Sequence, residues 1–272
     1  MAARAEAGGG IALSEPRPGD GGRSRAGSPV LEPHGGLAER IAEAARGRHP
    51  VTVFVAVVLA GFAVLAGVMI VLGLLLTDVL LPFHGIGHDD EHVNVVLAAH
   101  RSRFLSTASA VVSGMADVYA IPAIVALTAV GAAIRRHWRI AAFAVSAICL
   151  ESATYRVTSW AIERHRPAVH RLDDLPVMAS YPSGHVAASI AVYVGVAVLI
   201  ASRWRSRAVR IPVWAAALAI PPLVAAARMY RGMHHPTDTA AGMLLGTGAL
   251  LIALLAARAA GAVAERRERA PA

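Results

Sequence analysis

Lysine is missing from this chain altogether, so its formal charge of +8 rests on arginine alone. Cysteine is nearly missing too. Cys149 is the single one, which excludes an intramolecular disulfide, and its place inside an apolar run marks it as an inert buried thiol. Charged residues make up only 16% of the chain against 56% hydrophobic residues, too little charge to coat a water-soluble domain of this size. A cleavable secretory leader is not expected, because the first apolar run begins near residue 51 and is too long for a leader's hydrophobic region. That run reads as a retained anchor.

What is present fits an integral membrane protein. A bilayer core of about 30 Å needs about 20 apolar residues per helix. Six runs approach that length: 51–76, 108–133, 139–162, 185–202, 211–228 and 238–258. The fold class expected is therefore all-α, a polytopic bundle of six transmembrane helices. Arginines cluster at 40–48, 135–139, 203–210 and 258–269, whereas the 77–100 loop carries Asp78, Asp89, Asp90 and Glu91 and no Arg. The positive-inside bias puts both termini and the two Arg-rich loops in the cytoplasm. Six spans then send the 77–107, 163–184 and 229–237 loops to the extracytoplasmic side of a cell membrane. Anionic lipid is the natural partner of arginines at helix ends, so no nucleic-acid partner is expected.

Residues 1–50 read as a disordered basic cytoplasmic tail, since Gly, Pro, Arg, Ser and Glu bury too little surface to offset ordering entropy. Within it, Leu37–Arg46 has a thin apolar face suited to a short helix on the inner leaflet. Residues 51–258 form the membrane domain and 259–272 a second cytoplasmic tail. The group His84, His88, Asp89, Asp90, Glu91 and His92 has metal-ligand chemistry, but no fixed spacing on one element, and reads as a hydrated acidic loop. Residues 93–107 suit an interfacial helix with Arg101 and Arg103 on its wet face. Asp117 falls inside the second run, where a carboxylate is costly without a partner.

Three polar islands interrupt the apolar pattern. The first ends the third run, where Tyr155, Ser159, Ile162 and Arg166 follow helical spacing and Pro167 biases Arg166 out of the helix. The second, Tyr181-Pro182-Ser183-Gly184-His185, opens the fourth run: Ser183 is a natural N-cap, and the amides after it face whatever anion lies before the helix. The third runs from Arg228 to Asp238, with Pro236 placed to start a helix. There Asp238 is expected beneath His234, fixing its ring and leaving the other nitrogen to attack. All three fall on outward ends by the topology argument. Two guanidinium forks, a helix N-terminus, two imidazoles and a carboxylate form a kit for phosphoryl transfer from a phosphate ester.

These islands resemble the type 2 phosphatidic acid phosphatase family, whose fold is related to the vanadium haloperoxidases. That family carries a Lys, six residues, then Arg-Pro; a Pro-Ser-Gly-His; and a Ser-Arg, five residues, His, three residues, Asp. Here the three read Ser159-(six)-Arg166-Pro167, Pro182-Ser183-Gly184-His185 and Ala227-Arg228-(five)-His234-(three)-Asp238, over about residues 78–257. The resemblance implies His234 as nucleophile, Asp238 as its orienting group and His185 as the acid and base. It also implies Arg166, Ser183, Gly184 and Arg228 as the phosphate-binding set, with no metal and no cofactor.

Two positions depart from the pattern, Ser159 in place of Lys and Ala227 in place of Ser. Loss of one charge-assisted hydrogen bond, worth about 1.5–3 kcal/mol, is a handicap of about tenfold to a hundredfold in rate. Arg156, one turn from Ser159, is placed to extend toward the vacated position. The implied activity is hydrolysis of a lipid phosphomonoester or diphosphate through a phosphohistidine. Phosphatidic acid, phosphatidylglycerophosphate and polyprenyl phosphates or diphosphates are the substrate candidates. The alternatives are a lipid phosphotransferase using the same His and a weakly active or non-catalytic lipid-phosphate binder.

Overall fold

The computed structural model describes residues 28–33, 35–82, 85–174 and 179–269. Among them the chain is helical throughout: α1 (Gly36–Ala44), α2 (Pro50–Leu74), α3 (Ile86–Ala99), α4 (Arg103–Gly114), α5 (Ala120–Ile134), α6 (Trp138–Ala161), α7 (Gly184–Ser189), α8 (Gly195–Arg203), α9 (Arg207–Tyr230) and α10 (Pro236–Arg269). Wider π turns prolong α2 through Leu75–Leu80 and join α7 to α8 through Ile190–Val194. Five helical stretches are long and apolar enough to cross a membrane: Pro50–Leu80, Trp138–Ala161, Gly184–Arg203, Arg207–Tyr230 and Pro236–Arg269.

The expected second span, 108–133, is instead broken into α4 and α5, and Asp117 explains the break. Its Oδ1 accepts hydrogen bonds from the Tyr119 and Ala120 amides, both at 2.8 Å, so the carboxylate caps a new helix and does not sit mid-span unpaired. Pro122 then lies in the first turn of α5, where an amide hydrogen has no intrahelical acceptor. The resulting α5 has 15 residues. At 1.5 Å per residue it is about 22 Å long, short of a full hydrocarbon core.

α10 is the axis of the bundle, packed against α1, α2, α6 and α7. Its buried face is Ala241, Gly242, Leu245, Gly246, Ala249 and Ala253, with Leu65 and Met69 of α2 and Phe143, Ala147 and Leu150 of α6 in the same core. The small residues let backbones approach, as is common between membrane helices. A Cβ on Gly242 would stand 2.5 Å from the Ser183 carbonyl oxygen, and one on Gly246 would stand 2.3 Å from that of Ala187. These two glycines therefore hold the first turns of α7 in place against α10.

The expectation of a disordered segment over 1–50 needs correcting for the residues described. Pro29–Leu31 form a 3-10 turn with Leu31 fully buried, and Arg258 Nε donates to the Val30 carbonyl at 2.8 Å. The apolar face of α1, Ala38 and Ala42, packs on Val53, Ala259, Ala262 and Val263, so the segment orders itself on the far end of α10. Residues 1–27, His34 and His84 lie outside the described residues. Cys149, expected buried, faces outward from α6. The interfacial helix expected over 93–107 is instead the end of α3 and the start of α4. Between them Arg101 is tied to the bundle, donating to the carbonyls of Tyr230 at 2.9 Å and of His170 at 2.7 Å.

Substitution Gly246→Ala should lower the thermal unfolding midpoint of the purified protein, because overpacking against fixed backbone costs about 1–3 kcal/mol. Gly67→Ala, where a Cβ meets nothing within 4 Å, is the matched control and should not lower it.

Candidate active site

The end of α6, the start of α7, the end of α9 and the start of α10 converge at one end of the bundle. The turn between α9 and α10 is set by Gly232, whose φ of +72° closes α9 at a conformation unfavourable to other residues. Met233 N then bonds back to the Arg228 carbonyl at 3.0 Å. This delivers His234, 2% exposed, into the interior. Its Nδ1 lies 2.8 Å from the Ser180 carbonyl, an acceptor that requires the proton on Nδ1 and leaves Nε2 with its lone pair. Burial, and after it the charge of Arg228, holds the His234 pKa well below the usual value despite Asp238, so the ring is neutral.

Asp238 stands elsewhere than expected. Its carboxylate does not hold the His234 ring. One oxygen accepts from Ser180 Oγ, from the His235 amide at 2.8 Å and from His235 Nδ1 at 3.2 Å. The other accepts from Arg164 Nη1. Asp238 thus acts one step removed, anchoring the residue whose carbonyl grips His234. Arg164 in turn bonds Asp90, and Thr237 closes the circuit by donating to both Asp90 oxygens, from its amide at 3.0 Å and its hydroxyl at 2.6 Å. Glu91 lies 3.0 Å from His235 Nε2 and accepts from the Ala168 amide at 2.9 Å. Asp90 and Glu91 of the 84–92 group are accordingly structural carboxylates on α3, reaching in to the site, whereas Asp89 is exposed.

Ser183 is fully buried, and its amide donates to the Asp238 carbonyl at 3.0 Å. Its Oγ and Arg228 Nε are both buried and lack a hydrogen-bond partner among the described residues. Gly184 keeps the backbone close to the Tyr155 ring: a Cβ there would crowd the ring at 3.1 Å. His185 is half-buried, and Arg228, Asp173 and Arg166 lie within electrostatic reach of it. His185 and His234 are also within electrostatic reach of each other. Arg166 is fixed by a 2.7 Å bond from Nη1 to the Met233 carbonyl, next to His234.

Two residues behave differently from the sequence reading. Ser159 Oγ donates to the Tyr181 carbonyl at 3.2 Å, a bond that steadies the approach to Ser183. Arg156, placed by the sequence to extend toward this position, is exposed on α6. The residues missed are Asp173, Arg164, Asp90 and Ser180. Asp173 Oδ2 accepts from Arg228 Nη1 at 2.8 Å and its Oδ1 from Arg231 Nε at 2.8 Å, while Ser113 Oγ accepts from the same Arg228 nitrogen at 2.9 Å. These bonds fix the Arg228 fork from behind.

Burial alone would raise the Asp173 pKa. The hydrogen bond from Arg231 and the charges of Arg228 and Arg231 outweigh it and hold the carboxyl below its usual range. A folded-state pKa below the unfolded value of about 3.9 means the stabilisation is complete above that pH and is lost as pH falls through the folded value. Asp173→Asn should therefore be less stable than the parent at pH 7, and the two unfolding midpoints should converge as pH is lowered from 5 toward 3.

Residues 140–261 match the family profile described as the PAP2 superfamily. Comparison with curated proteins gives no match. Among solved structures, a transmembrane PAP2-type phosphatidylglycerolphosphate phosphatase from Bacillus subtilis superposes with a TM-score of 0.57 at 22% identity, over 75% of this chain and 93% of that one. LpxE from Aquifex aeolicus gives a TM-score of 0.45 at 21% identity, over 60% of this chain and 93% of that one. From the start of α6 deep into α10, over residues 140–261, this chain is similar to the PAP2 superfamily.

Proposed function

We propose that this protein is an integral membrane lipid phosphatase that hydrolyses a lipid phosphomonoester or diphosphate through a phosphohistidine at His234. The observation that carries this reading is the pair of unsatisfied buried groups, Ser183 Oγ and Arg228 Nε, at the same end of the bundle as an imidazole tied through Nδ1. A buried polar atom without a partner is costly unless a ligand satisfies it, and a phosphoryl group offers acceptor oxygens. Arg166 and Arg228 supply the charge that the transition state needs, so the reading requires no metal.

His234 Nε2 attacks phosphorus, the bond from phosphorus to the lipid oxygen breaks, and protonated His185 gives its proton to that oxygen. His185, now neutral, takes a proton from water as the water attacks the same phosphorus, and the N–P bond breaks to release phosphate. Neutral His234 is ready for the first step without losing a proton. Asp238 and Ser180 keep the ring in the attacking tautomer, and Asp173 keeps the Arg228 fork facing the phosphate.

The arginines at the far end of the bundle, from Arg135 to Arg139, from Arg203 to Arg210 and from Arg258 to Arg269, support placing that end in the cytoplasm and the site on the extracytoplasmic side.

Purified protein in detergent, given a panel of lipid phosphates, should release inorganic phosphate at a rate unchanged by EDTA. His185→Ala should lower that rate by about 10²–10⁴-fold. His234→Ala should abolish the acid-labile, base-stable phosphoenzyme trapped after brief mixing with labelled substrate. Transfer of label to an added lipid alcohol in place of water would identify a phosphotransferase. An absolute Mg²⁺ requirement would overturn the mechanism.

A further inference from the structure

The end of the bundle far from His234 carries an apolar groove that the proposed activity leaves unused. It has a volume of about 840 Å³ and is lined by Leu37 and Ile41 of α1, Ala56 and Ala60 of α2, and Ile252 and Leu255 of α10. The groove exists because two sides of α1 do different work. Ala38 and Ala42 are buried against the end of α10, which leaves Leu37, 59% exposed, and Ile41 to line the gap toward α2. Gly61 lets α2 and α10 meet behind it: a Cβ there would stand 2.3 Å from the Ile252 side chain.

The charge at the groove is of one sign. Arg48 is the one charged residue in the lining, and Arg40 lies one turn before Ala44, which also lines it. Neither guanidinium makes a hydrogen bond or ion pair among the described residues. The carboxylates of α1 are engaged elsewhere, Glu39 with Arg266 at 2.7 Å and Glu43 with Arg46 at 2.6 Å. An apolar slot with an uncommitted cation at its polar end suits an amphiphile with an anionic head. Depth identifies the amphiphile further. On α2 the lining runs from Thr52 to Val64, about 18 Å of helix. That is little more than one leaflet of a hydrocarbon core of about 30 Å, enough for a lipid tail and too short for a crossing helix of a second copy.

We infer that this groove binds one anionic phospholipid of the leaflet at that end, with the phosphate beside Arg48 and an acyl chain along Ala56, Ala60 and Val64. The lipid is a resident ligand and not a substrate, since no proposed catalytic group lines the groove. The site therefore stands apart from the phosphatase reading. A lipid bound there covers the side of α1 that α10 leaves bare, and Arg48 sets the preference for an anionic head because a guanidinium fork matches phosphate oxygens.

Native mass spectrometry of the full-length protein in mild detergent tests this, with phosphatidylglycerol and phosphatidylcholine of the same acyl chains as probes. The parent should retain phosphatidylglycerol in preference to phosphatidylcholine. Arg48→Gln should weaken phosphatidylglycerol binding about fivefold, the effect of one arginine near an anionic headgroup, and leave phosphatidylcholine unchanged. Phosphatidylglycerol held near His234 is untouched by that substitution, so the variant reports the groove alone. Adding Arg40→Gln should remove the remaining preference. Ala60→Phe, which fills the groove from an exposed position on α2, should weaken both lipids without lowering the unfolding midpoint. Arg267→Gln, an exposed arginine of α10 outside the lining, is the control and should change neither. Equal retention of the two lipids by the parent, or the same loss from Arg48→Gln as from Arg267→Gln, rules the assignment out. A dimer that Ala60→Phe takes apart rules it out as well, because the groove then belongs to a second copy.

Discussion

The Asp238 carboxylate, buried at the first turn of α10, must be compensated on every side, and meeting that demand organises the whole end of the bundle. Arg164 answers it from beyond α6, Ser180 from the long loop, and His235 from the turn before α10. Because Arg164 has a second fork arm, Asp90 of α3 is drawn in as well. Desolvating these charges gains little net stability against an apolar alternative, whereas leaving one unpaired is expensive. The circuit therefore specifies geometry more than it adds stability. It brings four separate segments to one place and sets the Ser180 carbonyl against His234.

Much of the candidate site is legible in the sequence because polar residues in an apolar chain carry high contrast. Arg166, Ser183, His185, Arg228, His234 and Asp238 stand out at run ends, and helical spacing with cap chemistry puts them at one end of a bundle. The residues that escape notice are those whose meaning is purely tertiary. Asp173 lies 55 positions from Arg228, and Arg164 lies 74 from both Asp90 and Asp238, so local periodicity cannot pair them. The holder of His234 is harder still, since a backbone carbonyl is common to all residues and Ser180 has no signature. A helix starting at Pro236 turns Asp238 back beneath His234 in the sequence pattern, which is why direct contact is the expectation there.

The same limit applies to the fold. Hydropathy finds the long helices, but it cannot see that Asp117 gains more from capping α5 than from being carried through a continuous span. Nor does composition reveal that Leu31 and α1 find an apolar face at the end of α10, because that face exists only after the bundle has formed. In both places a tertiary partner outweighs the local tendency. Ser159 shows the converse: a residue that departs from the family pattern has been given structural work, steadying Tyr181 ahead of Ser183.

The shortness of α5 has a consequence for the surrounding lipid. Leu127, Val130 and Ile134 face outward along it, so this flank wets the acyl chains with a hydrophobic height well below that of its neighbours. A bilayer meets such a mismatch by thinning locally, at a cost of fractions of a kcal/mol per Å. The leaflets should therefore pinch beside α5, drawing headgroups toward the midplane on that flank and favouring residence of the protein in thinner, more compliant regions of membrane.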